Sequence, residues 1–285
     1  MKTKEASTIF RQRLGHLLPA GELDAMMRVI MEEVMHYSPV DVVIRADDEL
    51  PEFFTTRLDD IMCRLERHEP LQYILGCALF HGHRFKVTPA TLIPRPETEQ
   101  LVDLIIDECG QCEDLRVMDL GTGSGCIAIS LARALKFAQV TGVDINVDAL
   151  QVAHENATAL KARVKWLEAD MLEMPHLAAH SLDIIVSNPP YITMSEKVTM
   201  ERNVLDYEPH DALFVPDDDP LRYYRAIAAI ATATLDSGGR LYVEINQHLG
   251  PHTSQLMTQA GLTDVRVLRD SYGNDRFVTA AIKPN

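Results

Sequence analysis

The sequence has few cysteines, no long apolar run and a shortage of positive charge, and each shortage excludes a class of protein. Its five cysteines, Cys63, Cys77, Cys109, Cys112 and Cys126, are odd in number and irregularly spaced in a chain of 285 residues. No disulfide framework is expected from such a set, and a reducing cytoplasm suits it better. No apolar run reaches the roughly 20 residues of a membrane-spanning helix. Residues 1–10 carry charges and lack the apolar stretch and cleavage site of a secretory leader. A cytoplasmic chain without a membrane partner is therefore expected. Lys and Arg number 27 against 42 Asp and Glu, a formal charge of −15. Tracking phosphates needs clustered Lys and Arg, so no direct nucleic-acid binding is expected. Polar low-complexity tracts are absent, and a hydrophobic share of 46% is ample for a core.

No metal site is expected either. His68, His81 and His83 cluster in sequence but lack the spacing of a closed site. Cys109 and Cys112 form a C-x-x-C pair, which is half of a structural zinc site. The pair follows a helix rather than opening one, so no helix dipole would lower a thiol pKa.

The length fits a catalytic domain with a smaller companion. Residues 1–70 read as a helical bundle. Ile9, Leu14, Leu17 and Leu18 fall at helical spacing, as do Met26, Met27, Ile30, Met31, Val34 and Met35, and then Phe54, Leu58, Ile61, Met62 and Leu65. The methionine-rich stripe reads as ordinary core; a partner-binding surface is the alternative. Residues 71–94 read as a linker hairpin with His81-Gly82-His83 at its tip. From there to residue 285 the pattern alternates. Strands are expected over 115–120, 139–144, 164–169, 181–187 and 239–245, with helices over 97–110, 124–136, 147–160, 220–236 and 249–260. Two strands, 264–270 and 276–283, end the chain. Such alternation predicts an α/β domain with a mostly parallel sheet covered on both faces and an antiparallel hairpin at its end.

Three strand tips carry ligand chemistry. Val117-Met118-Asp119-Leu120 runs into Gly121-Thr122-Gly123-Ser124-Gly125, and a helix follows. Glycines there let the backbone approach a ligand and turn tightly. The spacing is neither the G-x-G-x-x-G of dinucleotide folds nor a P-loop. The next strand ends in Asp144, about 20 residues on, where an acid can accept both ribose hydroxyls of a nucleoside; a helix N-cap is its plainer use. The third ends Glu168-Ala169-Asp170-Met171, so Asp170 can accept from an adenine amino group while Met171 covers the ring. Together these tips predict a nucleoside site.

The fourth strand ends in Asn188-Pro189-Pro190-Tyr191. Prolines stiffen the loop and donate no N–H, leaving carbonyls free to accept. With the Asn188 side-chain oxygen they can hold a planar –NH2 by both hydrogens. That places its nitrogen in line with a methyl sulfonium and stabilises the positive charge that grows on it. Tyr191 is expected to stack on the flat substrate group. Glu244 ends a later strand at the same sheet edge, with no role assigned.

These motifs resemble class I S-adenosylmethionine-dependent methyltransferases acting on planar exocyclic nitrogens, which have a seven-stranded, Rossmann-like, mostly parallel sheet. Further segments resemble the HemK/PrmC family: Leu71-Gln72-Tyr73-Ile74-Leu75-Gly76, residues 91–99, Tyr207-Glu208-Pro209 with Ala212-Leu213, and Asp270 with Tyr272-Gly273-Asn274 and Arg276. The resemblance implies transfer of a methyl group from S-adenosyl-L-methionine, leaving S-adenosyl-L-homocysteine. The acceptor it implies is the glutamine amide in the Gly-Gly-Gln loop of class 1 peptide chain release factors. A sister family, acting on a ribosomal protein, has Arg-Ser-Pro where this chain has Arg95-Pro96-Glu97, which favours the release-factor enzyme. By the same resemblance Gly121 to Gly125, Asp144, Met171 and Asn188 contact the cofactor, and Asn188, Pro189, Pro190 and Tyr191 the glutamine. Met171 stands where relatives can carry an aromatic. A nucleic-acid amino-methyltransferase, which would need base flipping and a basic surface, and a non-catalytic nucleoside-binding scaffold are the rival readings.

Overall fold

A computed structural model describes residues 1–174 and 178–283. Its contacts divide the chain into two compact units, 1–76 with 201–207, and 77–200 with 208–285.

The first unit is helical: α1 (Thr3–Leu14), α2 (Ala20–Met35), α3 (Pro39–Ile44), α4 (Glu52–Leu65) and α5 (Leu71–Leu75), joined by the short helix Arg202–Tyr207. Phe10, Leu14, Met27, Ile30, Met31, Phe54, Leu58 and Ile61 form its core, and Met26, Val34 and Met35 pack partly buried around it. The methionine stripe is thus core. Neither α3 nor the helix Arg202–Tyr207 buries any of its residues.

The second unit opens with a hairpin, β1 (Cys77–Phe80) and β2 (His83–Lys86), and continues through α6 (Pro96–Cys109). There follow β3 (Arg116–Leu120), α7 (Cys126–Ala134), β4 (Gln139–Asp144), α8 (Val147–Ala159), β5 (Val164–Glu168) and β6 (Leu182–Ser187). After the short β7 (Ile192–Thr193), α9 (Arg202–Tyr207, in the helical unit) and β8 (Phe214–Val215) come α10 (Arg222–Thr234), β9 (Leu235–Glu244), α11 (Gly250–Gln259), β10 (Thr263–Arg269) and β11 (Asp275–Ala281).

Seven strands form one sheet in the order β10-β11-β9-β6-β3-β4-β5, parallel from β9 to β5 and antiparallel through β11 and β10. Strand side chains alternate between faces. Val117, Ile184, Val186 and Tyr242 enter one core layer with Leu101, Ile105 and Ile129; Met118, Ile185, Leu241 and Val243 enter the other with Tyr224, Ile227 and Met257. Burial on both faces explains why these strands read as unbroken apolar runs. The chain winds outward from β3 through β4 to β5, then returns to place β6 on the other side of β3. Open α/β sheets bind ligands beyond the carboxyl ends of the strands at such a reversal.

Most expected elements are present with small shifts at their ends, but of the hairpin expected over 71–94 only 77–86 pairs, as β1 and β2, while Leu71–Leu75 is the helix α5 of the first unit. The clearest differences are that β9 starts at Leu235, inside the expected helix, and that the expected loop between β6 and α10 contains a parallel pair, Ile192↔Phe214 and Thr193↔Val215. Two-residue strands carry too little periodicity to be read.

Candidate active site

A cavity of about 650 Å³ opens beyond the carboxyl ends of the central strands. That is within the range of small-ligand and cofactor sites. Gly121, Thr122, Gly123, Ser124, Asp144, Asp170, Met171, Asn188 and Pro190 line it. Gly125, Pro189 and Tyr191 do not.

The turn after β3 is built for close approach. Gly121, Gly123 and Gly125 have φ of 74°, 56° and 80°, a region in which a side chain is strained. A Cβ at Gly123 would meet nothing within 4 Å, so the backbone here faces open space. At Gly121 it would stand 3.2 Å from the Met171 methyl carbon, so this glycine gives Met171 its place at the wall. Gly125 is buried against Ile129, Trp166 and Ala153, which explains its absence from the cavity. Beneath the turn Asp119 is fully buried and accepts from the Thr122 hydroxyl at 2.6 Å and the Ala128 N–H at 3.2 Å. Burial pushes its pKa up to about 7 against the pull of those two bonds.

Asp144 Oδ2 accepts from the Gly123 N–H at 2.8 Å and Oδ1 from the Asn146 N–H at 2.9 Å. Burial raises its pKa, and the N–H groups of Asn146, Gly123 and Ile145 oppose that rise. The N-cap of α8 is Asn146, whose side chain accepts from Asp148 and Ala149, so Asp144 is not spent on capping. Each Asp144 oxygen keeps a second lone pair, and the pair matches the two adjacent hydroxyls of a ribose. Asp170 Oδ1 accepts from the Leu172 N–H at 2.8 Å, and Asp170 and Met171 line the wall side by side. The open space at Gly123, the paired acceptors of Asp144 and the thioether at Met171 fit an adenosyl group.

At the tip of β6, Pro189 and Pro190 are buried and Asn188 is half-buried. Asn188 Nδ2 donates to Thr98 Oγ1 at 3.1 Å. The Thr98 hydroxyl donates to Glu244 Oε2 at 2.7 Å, and the Tyr191 hydroxyl donates to Glu244 Oε1 at 3.0 Å. Tyr191 packs against the core layer that contains Tyr224 and Ile227. Its ring therefore serves the scaffold, where stacking on a substrate was expected. Burial, then the nearby Glu244 charge, raises the Tyr191 pKa.

Sequence reasoning missed Thr98, and it noted Glu244 without a role. The signal for Glu244 was its place at the end of a parallel strand beside the other tips. Glu208 was also missed. Its buried carboxylate accepts from the Ile93 N–H at 3.1 Å and pairs with Arg95, joining two segments of the cavity wall.

A family model described as the PrmC N-terminal domain matches residues 5–76, and one described as the methyltransferase small domain matches residues 98–206. A release factor glutamine methyltransferase of Bacteroides thetaiotaomicron is 44% identical, over 95% of this chain and 96% of its own. Another, of Flavobacterium psychrophilum, is 40% identical over 98% of each chain. Among solved structures, a T. thermophilus 16S rRNA methyltransferase in complex with AdoMet and guanosine matches with a TM-score of 0.52 at 19% identity, over 73% of this chain and 50% of its own. That likeness concerns the fold.

Proposed function

The chain belongs to the HemK/PrmC family of release factor glutamine methyltransferases, and on that premise we propose that it methylates the side-chain amide nitrogen of the Gly-Gly-Gln glutamine in class 1 peptide chain release factors. One observation carries the reading: the Asn188 loop and the Asp144 tip open on the same cavity. S-adenosyl-L-methionine supplies an electrophilic methyl on a sulfonium and leaves as S-adenosyl-L-homocysteine.

The residues divide the work. Asp144 accepts the ribose hydroxyls, Asp170 and Met171 receive the adenine, and the backbone of Gly121 to Gly123 passes close to the ligand. Asn188 Oδ1 and a carbonyl of the proline loop accept the two hydrogens of the glutamine –NH2. The amide lone pair is delocalised, so acceptors on both hydrogens align the nitrogen and stabilise the charge that develops on it. A strong base is unnecessary before attack, because the departing proton becomes acidic only as the N–C bond forms. Pro189 and Pro190 hold the loop rigid, and Tyr191 anchors it through Glu244.

We assign partner recognition to the helical unit, whose α3 leaves Val40, Val43 and Ile44 exposed. No helix among the described residues is long and apolar enough to cross a membrane, and we place the enzyme in the cytoplasm with its substrate. The test is incubation of the purified protein with S-adenosyl-L-methionine and a class 1 release factor, followed by peptide mass spectrometry. A methyl on the glutamine amide supports the reading; a methyl on another residue, or on DNA adenine in a parallel reaction, defeats it.

A further inference from the structure

We propose that Glu244 is a positioning residue that acts through the Thr98 hydroxyl to fix which way the Asn188 amide faces. The proposal rests on the methyl-transfer reading above and adds to it the means by which Asn188 is kept as an acceptor.

An asparagine amide has an oxygen end and a nitrogen end of nearly the same shape, and only the oxygen end can accept a substrate N–H. The geometry selects between them by a chain of single protons. Glu244, at the end of β9, is 1% exposed, and Thr98, in the first turn of α6, is 2% exposed. An ionised carboxylate only accepts, so the one proton of the Thr98 hydroxyl is committed to Glu244 Oε2, at 2.7 Å. With that proton spent, the hydroxyl can only accept from Asn188, at 3.1 Å. The amide nitrogen must therefore face Thr98, and Oδ1 is left for the cavity side. Among the described residues no donor to Asn188 Oδ1 is found. Tyr191 ties the other end of the four-residue loop to the second oxygen of the same carboxylate, at 3.0 Å.

The groups around the carboxylate are Thr98 and Glu97 from α6, Tyr191 from the loop after β6, Arg276 from β11 and Tyr224 from α10. Arg276 favours the ionised form and Glu97 opposes it. Arg276 is itself held by Asp270 at 3.0 Å, and the Tyr224 hydroxyl donates to the Glu244 main-chain oxygen at 3.2 Å. Burial raises the Glu244 pKa against the bonds from Thr98 and Tyr191. A protonated Glu244 can donate to Thr98, which frees the threonine proton to turn toward Asn188. That rewards the reversed amide, whose –NH2 confronts the –NH2 of the substrate. Loss of the Glu244 charge on the acid side should therefore lower turnover without touching the adenosyl end of the cavity.

Full-length wild type, Thr98→Val, Thr98→Ser and Glu244→Gln are compared by steady-state methylation of a release factor, with S-adenosyl-L-methionine affinity measured by calorimetry. Thr98→Val keeps the shape and removes the relay, so kcat should fall on the order of 10²-fold, as expected for a mis-set reacting geometry, with cofactor affinity retained. Thr98→Ser should recover most of that loss, which a purely packing role would not produce. Glu244→Gln should lower kcat and abolish the acid limb of its pH profile. Wild-type kcat in Thr98→Val, equal losses in both Thr98 variants, or an unchanged acid limb in a folded Glu244→Gln would each overturn the proposal. If the wild type itself leaves the glutamine unmethylated, the functional reading fails and this proposal falls with it.

Discussion

Trp166 lies across Gly142, its register partner on the adjoining parallel strand, and fills the space that a side chain at 142 would take. A Cβ built on Gly142 comes within 2.4 Å of the indole and 2.9 Å of Thr122 Oγ1. The indole also closes on Gly125, where an added Cβ would stand 3.0 Å away. One large ring thus sets the packing beneath the glycine turn, two strands from where the turn begins.

Gly142→Ala should therefore destabilise the protein by about 1–3 kcal/mol, the usual cost of overpacking a filled core. It should also weaken S-adenosyl-L-methionine binding, because the displaced Thr122 belongs to the cavity wall. Urea denaturation and calorimetry measure the two effects. Unchanged stability would mean that the indole moves aside at no cost.

The sheet was legible because β3, β4 and β6 are buried on both faces, which leaves short apolar runs separated by amphipathic helices. That Asp144 and Asn188 stand at strand ends on one cavity could be anticipated, because each follows a short apolar strand of a parallel sheet. Thr98 was not legible. It sits in the first turn of a helix, where threonine is unremarkable, and its meaning depends on Glu244, 146 residues away in sequence. The placement of Tyr191 was not legible for the same reason: the order of residues does not say on which side of a loop an aromatic ring lies.

Asp119 gives a pH-dependent prediction. Its folded-state pKa stands near 7, raised from the carboxylate value by burial. A raised acid adds stability that is fully present below its unfolded pKa and lost as pH rises through the folded one. In Asp119→Asn nothing titrates at this position, while an amide oxygen can still accept from Thr122 and Ala128. The Tm of wild type minus that of Asp119→Asn should fall as pH is raised from 5 to 8, steadily up to about 7 and levelling off beyond it. A constant difference across that window would show that the carboxyl does not titrate there.

Asp144→Ala removes the charge expected to hold the ribose. Hydrogen bonds to charged groups contribute about 1.5–3 kcal/mol each, so affinity for S-adenosyl-L-methionine should fall by roughly 10- to 100-fold or more. Its two internal bonds come from backbone N–H groups at the cavity rim, so the fold should persist. Calorimetry on a variant with a native circular dichroism spectrum checks this, and wild-type affinity would remove Asp144 from the site.

Val43 and Ile44 are 74% and 76% exposed on α3. Surface substitutions of this kind usually change stability by no more than about 0.5 kcal/mol. Val43→Glu with Ile44→Glu should leave Tm and cofactor affinity in place and raise KM for the release factor. An unchanged KM would move partner recognition off α3.

Asn188→Ala tests the chemical step. It removes one acceptor from the nitrogen on which positive charge develops, and it leaves Asp144, Asp170 and Met171 where they are. Deleting a preorganised group of this electrostatic kind costs on the order of 10²–10³ in rate. The contact strengthens as the charge grows, so kcat should fall much more than cofactor affinity. Asn188→Asp separates the two ends of the side chain. It keeps an oxygen toward the substrate, but at the other end it replaces an N–H donor by an acceptor facing Thr98, whose own proton is already given to Glu244. At neutral pH the new carboxylate would then compete with Glu244 for that proton. Activity of Asn188→Asp should accordingly lie between wild type and Asn188→Ala, and it should rise toward lower pH as the aspartate takes up a proton that it can donate to Thr98. A single-turnover pH series on the two variants makes the comparison. Equal rates in both at every pH would show that the oxygen of residue 188 does not contact the transferring nitrogen.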